Sequence, residues 1–268
     1  MNIVLFNKTQ QILVYIICFL FVGCGLSTDY DTVITNGKIL DGTGNPWYYA
    51  DIAINDGQIV RIGDVEGDAK EKIDASGLYV TPGFIDVHSH SASGLTDPKL
   101  SSAEPLLQQG ITTVFVNPDG GGAVDMPQQR ENLLRDGIGV NVVQFMPHGS
   151  IRNEVIGMED RAPSSEEMEE MKQLVRKGME DGAFGLSSGP FYSPGSYAET
   201  DELVTLAREA AKYDGSYTSH IRDESNYTIG LEAAVDEVIQ VAKEAELPGV
   251  VTHIKALGPP VWDMSKTI

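Results

Sequence analysis

Two histidines end a short apolar run in the stretch TPGFIDVHSH, residues 81–90. In a β-strand alternate side chains point to the same face, so His88 and His90 would project together from the end of a strand. Neutral imidazole nitrogen is a common ligand of zinc and related divalent metals. The pair is therefore consistent with a metal site, although an H-x-H motif by itself is weak evidence.

The other histidines of the chain also follow apolar segments; they are His148, His220 and His253. In a barrel of alternating strands and helices, the active site lies at the carboxyl ends of the strands. We therefore predict that His88, His90, His220 and His253 meet at one face. A metal held there would lower the pKa of a bound water, which favours metal-assisted hydrolysis.

Residues 81–268 show a repeating β–α pattern that would carry these histidines. Apolar runs alternate with amphipathic segments at a spacing of roughly 30–40 residues, which is the scale of βα units. The predicted strands are GFIDVHSH, TTVFVN, NVVQFM, AFGLSS, SYTSH and GVVTHI. Such units form either an open doubly wound sheet or an eight-stranded barrel, and a complete barrel would need two further units.

Helix signals lie between these strands. Ser164 and Glu167 have the spacing of a capping box. Thr200 is the predicted N-cap of a helix that stops at Gly215. An apolar stripe over residues 231–245 predicts a further helix, closed by a Pro-Gly pair.

The segment before the barrel has a different pattern. Short alternating runs such as TVIT, ADIAI and QIVRIG are separated by Asn-Gly, Asp-Gly and Gly-Asn pairs. These pairs are typical of hairpin turns, so residues 30–80 are predicted to be mostly antiparallel strands.

The first residues resemble an export signal. Lys8 precedes an apolar run that is short for a membrane span, and the run ends in FVGC. We interpret residues 1–23 as a lipoprotein-type signal and Cys24 as the lipid-anchored first residue of an exported protein that faces the periplasm or the cell surface. An uncleaved signal anchor and ordinary secretion are the alternatives.

Composition limits the partners and the covalent cross-links of the chain. Its only cysteines, Cys18 and Cys24, lie in or beside the leader, so no disulfide is expected in the folded protein. The formal net charge of −20 argues against a nucleic-acid partner.

Several motifs together resemble a known family. PGFIDVHSH and VITNGKILDGTG resemble the amidohydrolase superfamily, and GAFGLSSGPFYSPGSYAETDEL, YTSHIRDES and VVTHIKALG resemble its D-aminoacylase branch, the N-acyl-D-amino-acid deacylases. The resemblance implies an α/β fold. Residues 24–80 would form the N-terminal part of a small β-sandwich, and residues 81–268 the first six strands of a metal-dependent (βα)8 TIM-type barrel. It also implies zinc-dependent hydrolysis of small-molecule N-acyl-D-amino acids.

The resemblance assigns roles to individual residues. The implied ligands of one or two zinc ions are His88, His90, His220 and His253. The implied contacts of the substrate carboxylate are Tyr192, of the YSPG motif, and Lys255, with Arg222 as a further anion contact. As alternatives, Tyr192 packs a Pro-Gly turn and Arg222 pairs with Asp223 or Glu224.

The sequence departs from the pattern of the branch at three places. Where a metal-binding cysteine usually follows strand two, the chain reads VFVNPDGGG, so Asp119 would supply an oxygen ligand; the same stretch is also a good turn sequence. Ala92 stands where relatives often have aspartate. The family's general-base aspartate follows strand eight, which would lie beyond Ile268, so we expect these residues to be an inactive fragment of a longer protein.

Two other functions stay open. Cyclic-amide hydrolases and isopeptide-type dipeptidases commonly bridge two metals with a carboxylated lysine, but AFGLSS contains no lysine. A non-catalytic binding lipoprotein is the more distant alternative.

Overall fold

A computed structural model describes residues 28–264 of the chain. The predicted leader and Cys24 lie outside these residues. The chain divides into two compact units, which meet in sequence between Pro82 and Gly83. Among the described residues, none of the helices combines the length and the apolar character that a membrane span requires.

The first unit is a five-stranded sheet. Its strands are β1 (Tyr30–Ile39), β2 (Tyr48–Asn55), β3 (Gln58–Gly63), β4 (Ala69–Asp74) and β5 (Tyr79–Val80). Strands β1, β2 and β3 pair antiparallel. The β2–β3 turn has positive φ at both Asp56 and Gly57, as a type I′ hairpin requires.

The expectation of mostly antiparallel pairing is wrong for the last two strands of this unit. Both β4 and β5 pair parallel with β1. Turn signals identify neighbouring hairpins, whereas a parallel partner is chosen by contacts between residues distant in sequence. The local pattern therefore predicted the strands but not the partner of β4 or β5.

The second unit alternates strands with helices. Its strands are β6 (Phe84–Asp86), β7 (Ile111–Val116), β8 (Asn141–Gln144), β9 (Met146–Pro147), β10 (Gly185–Ser188), β11 (Ser216–Ser219) and β12 (Gly249–Val251). Its helices are α1 (Ala92–Leu95), α2 (Glu104–Leu107), α3 (Met126–Leu134), α4 (His148–Val155), α5 (Ser165–Glu180), α6 (Thr200–Ala211) and α7 (Leu231–Ala245).

Every strand pair in the second unit is parallel. One sheet has the order β6-β7-β8 and the other the order β9-β10-β11-β12. Only Phe145 separates β8 from β9, and its backbone N–H donates to the carbonyl of Val116. Strands β8 and β9 together correspond to the third predicted strand. The second unit therefore contains the six parallel strands that the sequence predicts.

The helix signals give two outcomes. Ser164 and Glu167 form the predicted capping box at the start of α5, each accepting the other's backbone N–H. Thr200 is not an N-cap, because Glu199 occupies that position and Thr200 is the first residue of α6. The hydroxyl of Thr200 donates instead to Glu237 on α7, at 2.8 Å.

Helices α5, α6 and α7 pack their apolar faces into one core, whereas Leu95 of α1 and Leu133 of α3 pack with β7 in a second cluster. Helix α5 buries Met171, Val175 and Met179, and α7 buries the predicted stripe that begins at Leu231 and ends at Ala245. These side chains join those of α6 and of the strand interiors in a single hydrophobic cluster. Burial of this kind supplies most of the free energy that holds helices on a sheet.

Candidate metal centre

The parallel strands bring distant residues to one edge of the second unit. His88 and His90 follow β6, Asp119 follows β7, His220 follows β11 and His253 follows β12. The ring centroids of His88 and His90 lie 5.2 Å apart, those of His88 and His253 5.6 Å, and those of His220 and His253 4.4 Å. The four histidines named from the sequence therefore stand in one cluster.

Asp119 lies between these histidines. Its Oδ2 is 3.4 Å from Nε2 of His88 and 3.1 Å from Nε2 of His90, and its Oδ1 is 3.7 Å from Nδ1 of His220. Burial raises the pKa of Asp119, but its interaction with His88 and the nearby histidine charges outweigh burial, so the pKa is lowered overall. The carboxylate faces histidines rather than only its own turn.

The turn after β7 orients the Asp119 carboxylate toward the histidines. Asn117 and Asp119 both have positive φ, a conformation that Asn and Asp tolerate better than other residues with a Cβ. The Asn117 side chain donates to Gln129 and to the carbonyl of Phe145. A Cβ on Gly120 would lie 3.0 Å from the backbone nitrogen of Gly189, so glycine lets this turn pack closely on the loop after β10.

His220 and His253 also face a second carboxylate, that of Glu224. Its Oε1 lies 3.2 Å from Nε2 of His220 and 3.4 Å from Nδ1 of His253. Burial lowers the pKa of His220 to about 4, against the opposing effects of Asp119 and Glu224. His220 is therefore neutral near pH 7, which is the form that binds a metal.

Several buried polar atoms of the cluster have no hydrogen-bond partner among the described residues. They are Nδ1 of His88, Oδ1 of Asp119, Nε2 of His220, Oε1 of Glu224 and Nδ1 of His253. Buried polar atoms are normally paired, so five such atoms in one place need an explanation. Two sets of ligand atoms lie within 4.8 Å of one another: His88, Asp119 and His253; and His220, Glu224 and His253. Imidazole nitrogen with carboxylate oxygen is a donor set that suits zinc and similar divalent ions.

Tyr192 and Lys255 lie at the edge of this cluster. The Tyr192 hydroxyl is 3.4 Å from Nδ1 of His220, and its ring centroid is 4.7 Å from that of His220. The Lys255 ammonium is 3.2 Å from Oε1 of Glu224. Burial, and then the charge of Asp119, raise the pKa of Tyr192, so its hydroxyl stays protonated and able to donate.

Arg222 is held elsewhere. Its guanidinium donates to both carboxylate oxygens of Glu237 on α7 and to the carbonyls of Ser196 and Ala198. The alternative partners named from the sequence were wrong, since neither Asp223 nor Glu224 pairs with it. These contacts join α7 to the turn after β10 and use four of the five N–H donors of the guanidinium.

His148 forms a separate buried group. Its Nε2 lies 2.8 Å from Oε1 of Glu202, and Nη1 of Arg152 lies 2.6 Å from the other oxygen of that carboxylate. All three side chains are almost fully buried. His148 therefore contributes to the interior and does not join the histidine cluster.

A cavity of about 560 Å³ opens beside His90, Asp119 and Tyr192. Its other walls include Asn153 and Met158, together with several glycine, serine and proline residues. This volume is in the range of small-molecule sites. A ligand in the cavity would contact the histidine–carboxylate cluster directly.

Sequence reasoning missed Glu224 as a member of this cluster. It considered Glu224 only as a partner of Arg222. The available signal was an acidic residue four positions after a candidate ligand histidine, in a loop that follows a strand. That signal is weak without the tertiary contacts, because charged residues in loops usually face water.

The parallel strands and the histidine–carboxylate cluster define an α/β protein of the TIM-barrel type with a candidate metal site. Residues 71–262 match the family model described as "Amidohydrolase family", and the chain belongs to that family. The resemblance inferred from the sequence motifs is thereby confirmed.

The chain is also similar to characterised relatives. It is 30% identical over 264 residues to a D-aminoacylase of Alcaligenes xylosoxydans xylosoxydans, covering 90% of this chain and 54% of the relative. It is 35% identical over 260 residues to an N-acyl-D-glutamate deacylase of the same organism, covering 88% and 52%.

A solved structure supports the same relationship. The N-acyl-D-glutamate deacylase from Bordetella bronchiseptica, in complex with zinc and a phosphonate inhibitor, superposes with a TM-score of 0.80 at 34% identity. The match covers 89% of this chain and 54% of that one. The chain thus spans about half the length of the curated relatives it matches.

Proposed function

We propose that the full-length protein hydrolyses the amide bond of N-acyl-D-amino acids and releases a carboxylic acid and a D-amino acid. The observation that carries this proposal is the convergence of His88, His90, His220 and His253 around Asp119, at the carboxyl ends of parallel strands. A D-aminoacylase and an N-acyl-D-glutamate deacylase are 30% and 35% identical to this chain over the aligned residues.

In this proposal the ligands of one or two zinc ions are His88, His90, Asp119, His220 and His253. When bound, zinc supplies a Lewis acid that polarises the amide carbonyl and lowers the pKa of water. Burial keeps His220 neutral near pH 7, so a nitrogen lone pair remains available. The two oxygens of Asp119 face different histidines, which supports a role for this carboxylate between two groups of ligands.

Tyr192 and Lys255 are proposed to bind the substrate carboxylate. The Tyr192 hydroxyl lies 3.4 Å from Nδ1 of His220, and the Lys255 ammonium lies 3.2 Å from Oε1 of Glu224, which faces Nε2 of the same ring. The charge-assisted hydrogen bonds that they offer are the strong kind that orients an anion. Arg222 is left out of this role because Glu237 and two carbonyls hold its guanidinium.

The arrangement supports selection of one stereoisomer. A substrate would be fixed at its carboxylate by Tyr192 and Lys255 and at its amide beside the histidines, with a further group in the cavity bounded by Met158. Three points of attachment around a tetrahedral carbon distinguish the D-isomer from the L-isomer. Holding the amide in one orientation also lowers the entropic part of the barrier.

A panel of N-acetyl-D-amino acids and their L-isomers tests this function in the zinc-loaded full-length protein. We expect amine release from the D-isomers at a rate at least about a hundredfold above that from the L-isomers, which corresponds to roughly 3 kcal/mol of discrimination. The His220→Ala variant should lose both turnover and zinc, whereas the exposed Glu232→Gln variant should keep both. Turnover of cyclic amides alone would contradict the proposal.

We also propose a location and an arrangement for the first part of the chain. FVGC supports lipid attachment at Cys24 of an exported protein anchored to the membrane. Exposed apolar side chains on β3, Ile59, Val60 and Ile62, support the assignment of residues 24–80 to part of a β-sandwich, because a second sheet covers such surfaces. Labelled palmitate should enter the expressed full-length protein but not its Cys24→Ala variant, and equal labelling would refute the anchor.

A further inference from the structure

Glu224 is a buried carboxylate to which the proposed reaction has given no role. Its side chain is 4% exposed, and it lies in the loop that follows β11. Carboxylates are seldom buried unless a partner compensates for the loss of hydration. The groups that face its Oε1 are Nε2 of His220, Nδ1 of His253 and Nζ of Lys255, at 3.2, 3.4 and 3.2 Å.

The loop around Glu224 is fixed on both sides. The carboxylate of Asp223 accepts backbone N–H groups from Ser225, Thr228 and Gly230. The carbonyl of Glu224 accepts the N–H of Leu257, and the Ser225 hydroxyl donates to the carbonyl of Leu257. The loop after β11 is thereby tied to the segment that follows His253 and Lys255.

The two ring nitrogens of His220 face different carboxylates. Nδ1 lies on the side of Asp119 and of the Tyr192 hydroxyl, whereas Nε2 faces Glu224. A histidine that binds a metal through one nitrogen nearly always presents the N–H of the other to a carboxylate, a carbonyl or water. The distances to Glu224 allow such a contact after a small rotation of the ring.

We propose that Glu224 is the positioning residue of the metal site and of the substrate anchor. It faces Nε2 of His220 and Nδ1 of His253, which fixes the tautomer of each ring and leaves the opposite nitrogen for the cation. The same oxygen holds the Lys255 ammonium next to those rings. One carboxylate thus sets the distance between the metal ligands and the group that binds the substrate carboxylate. This inference rests on the proposed function for the role of Lys255 but not for the orientation of the histidines.

Zinc affinity without substrate is the first test. In the full-length protein, competition with a chelator should show zinc binding weakened by about 10–100-fold in Glu224→Ala, the usual cost of removing such a partner. Glu224→Gln keeps an oxygen acceptor and should lose less. The exposed Glu232→Gln variant makes the same charge change on α7 and should bind zinc as the parent does. Unchanged zinc affinity in Glu224→Ala would overturn the proposal.

Steady-state kinetics separate the effect of Glu224 on the metal ligands from its effect on Lys255. Lys255→Met should raise KM for an N-acetyl-D-amino acid and leave zinc affinity unchanged, whereas Glu224→Ala should change both. If no N-acyl-D-amino acid is hydrolysed, the proposed function fails, and the zinc measurements still decide the role of Glu224.

A zinc-edge anomalous map of the zinc-loaded protein distinguishes positioning from direct ligation. We expect zinc density beside His220 and His253, with the Glu224 oxygens beyond bonding distance, which is about 2.0–2.2 Å. Zinc bonded to Glu224, or equal loss of a zinc ion in Glu224→Gln and Glu224→Ala, would overturn the positioning role.

Discussion

At the scale of single residues, Asp119 is the candidate ligand that departs from the resemblance. The resemblance to the D-aminoacylase branch implies a metal-binding cysteine at this position, and carboxylate oxygen is a harder donor than thiolate. Asp119 is close to three of the four clustered histidines, so its charge acts on the whole group. A carboxylate at this position favours oxygen-preferring ions such as Mn²⁺ more than a thiolate would.

The Asp119→Asn variant should lose most of its metal affinity and its activity. The amide is nearly isosteric but lacks the charge, so we expect zinc binding to weaken by at least about tenfold. Asp119→Cys should retain zinc and bind Mn²⁺ less well than the parent. Metal content measured after dialysis against each ion gives the comparison. If Asp119→Asn kept the zinc content of the parent, Asp119 would not be a ligand.

The lowered pKa of His220 predicts how the free energy of unfolding of the metal-free protein depends on pH. Burial lowers the pKa of His220 from 6.5 to about 4, so the folded state resists protonation that the unfolded state accepts. Stability should therefore fall as pH drops through the window from about 6.5 to about 4, and His220 should account for up to about 3 kcal/mol.

Denaturant unfolding at pH 7.5, 6 and 5 in EDTA measures this dependence. Asp119 contributes in a lower range, since its lowered pKa adds stability that is lost only below its ordinary value of 3.8. His220→Gln should flatten the dependence between pH 6.5 and 5. An equally steep dependence in that variant would show that other groups are responsible.

At the scale of elements, α5 shows what local sequence determines. Ser164 and Glu167 satisfy each other's backbone N–H groups in the predicted way, because a capping box needs only residues three apart. Ser164→Ala should lower the free energy of unfolding by about 1 kcal/mol, measured by denaturant titration. The neighbouring exposed Ser165→Ala is the control and should change it by less than about half as much.

Arg222 shows what local sequence does not determine. Its partner Glu237 lies on α7, fifteen positions away, and its other acceptors are carbonyls of the turn after β10. The same holds for Glu224, which joins the histidines only because the loops after β11 and β12 are tied together. The motifs predicted strand ends and the residues on them. They could not predict contacts made by side chains from separate loops.

Arg222→Met should mainly lower stability, whereas Lys255→Met should mainly raise KM. Removing Arg222 leaves the buried Glu237 carboxylate without its cationic partner. Such a loss costs about 3–5 kcal/mol of stability. We expect about 3 kcal/mol here, because both side chains keep some contact with water. Lys255 is about half exposed, so its loss should cost less stability than the loss of Arg222 and should raise KM. Thermal unfolding and steady-state kinetics on both variants decide this. A rise in KM with full stability for Arg222→Met would restore Arg222 as a substrate contact.

At the scale of the whole molecule, all the candidate ligands belong to the second unit, which begins at Gly83. A metal that binds only the folded unit stabilises it by mass action, by about 2.7 kcal/mol at a concentration 100 times its dissociation constant. Calorimetry of the full-length protein should therefore show that zinc raises the midpoint of the transition that includes this unit, and that EDTA reverses the change.

Mg²⁺ prefers oxygen ligands in octahedral geometry and should shift the midpoint much less. The His220→Ala variant should respond weakly to zinc, because the remaining ligands lose a buried nitrogen donor. An equal shift in that variant would mean that the stabilising ion binds outside the cluster, and the assignment of the metal to these histidines would then fail even if the protein hydrolysed its substrate.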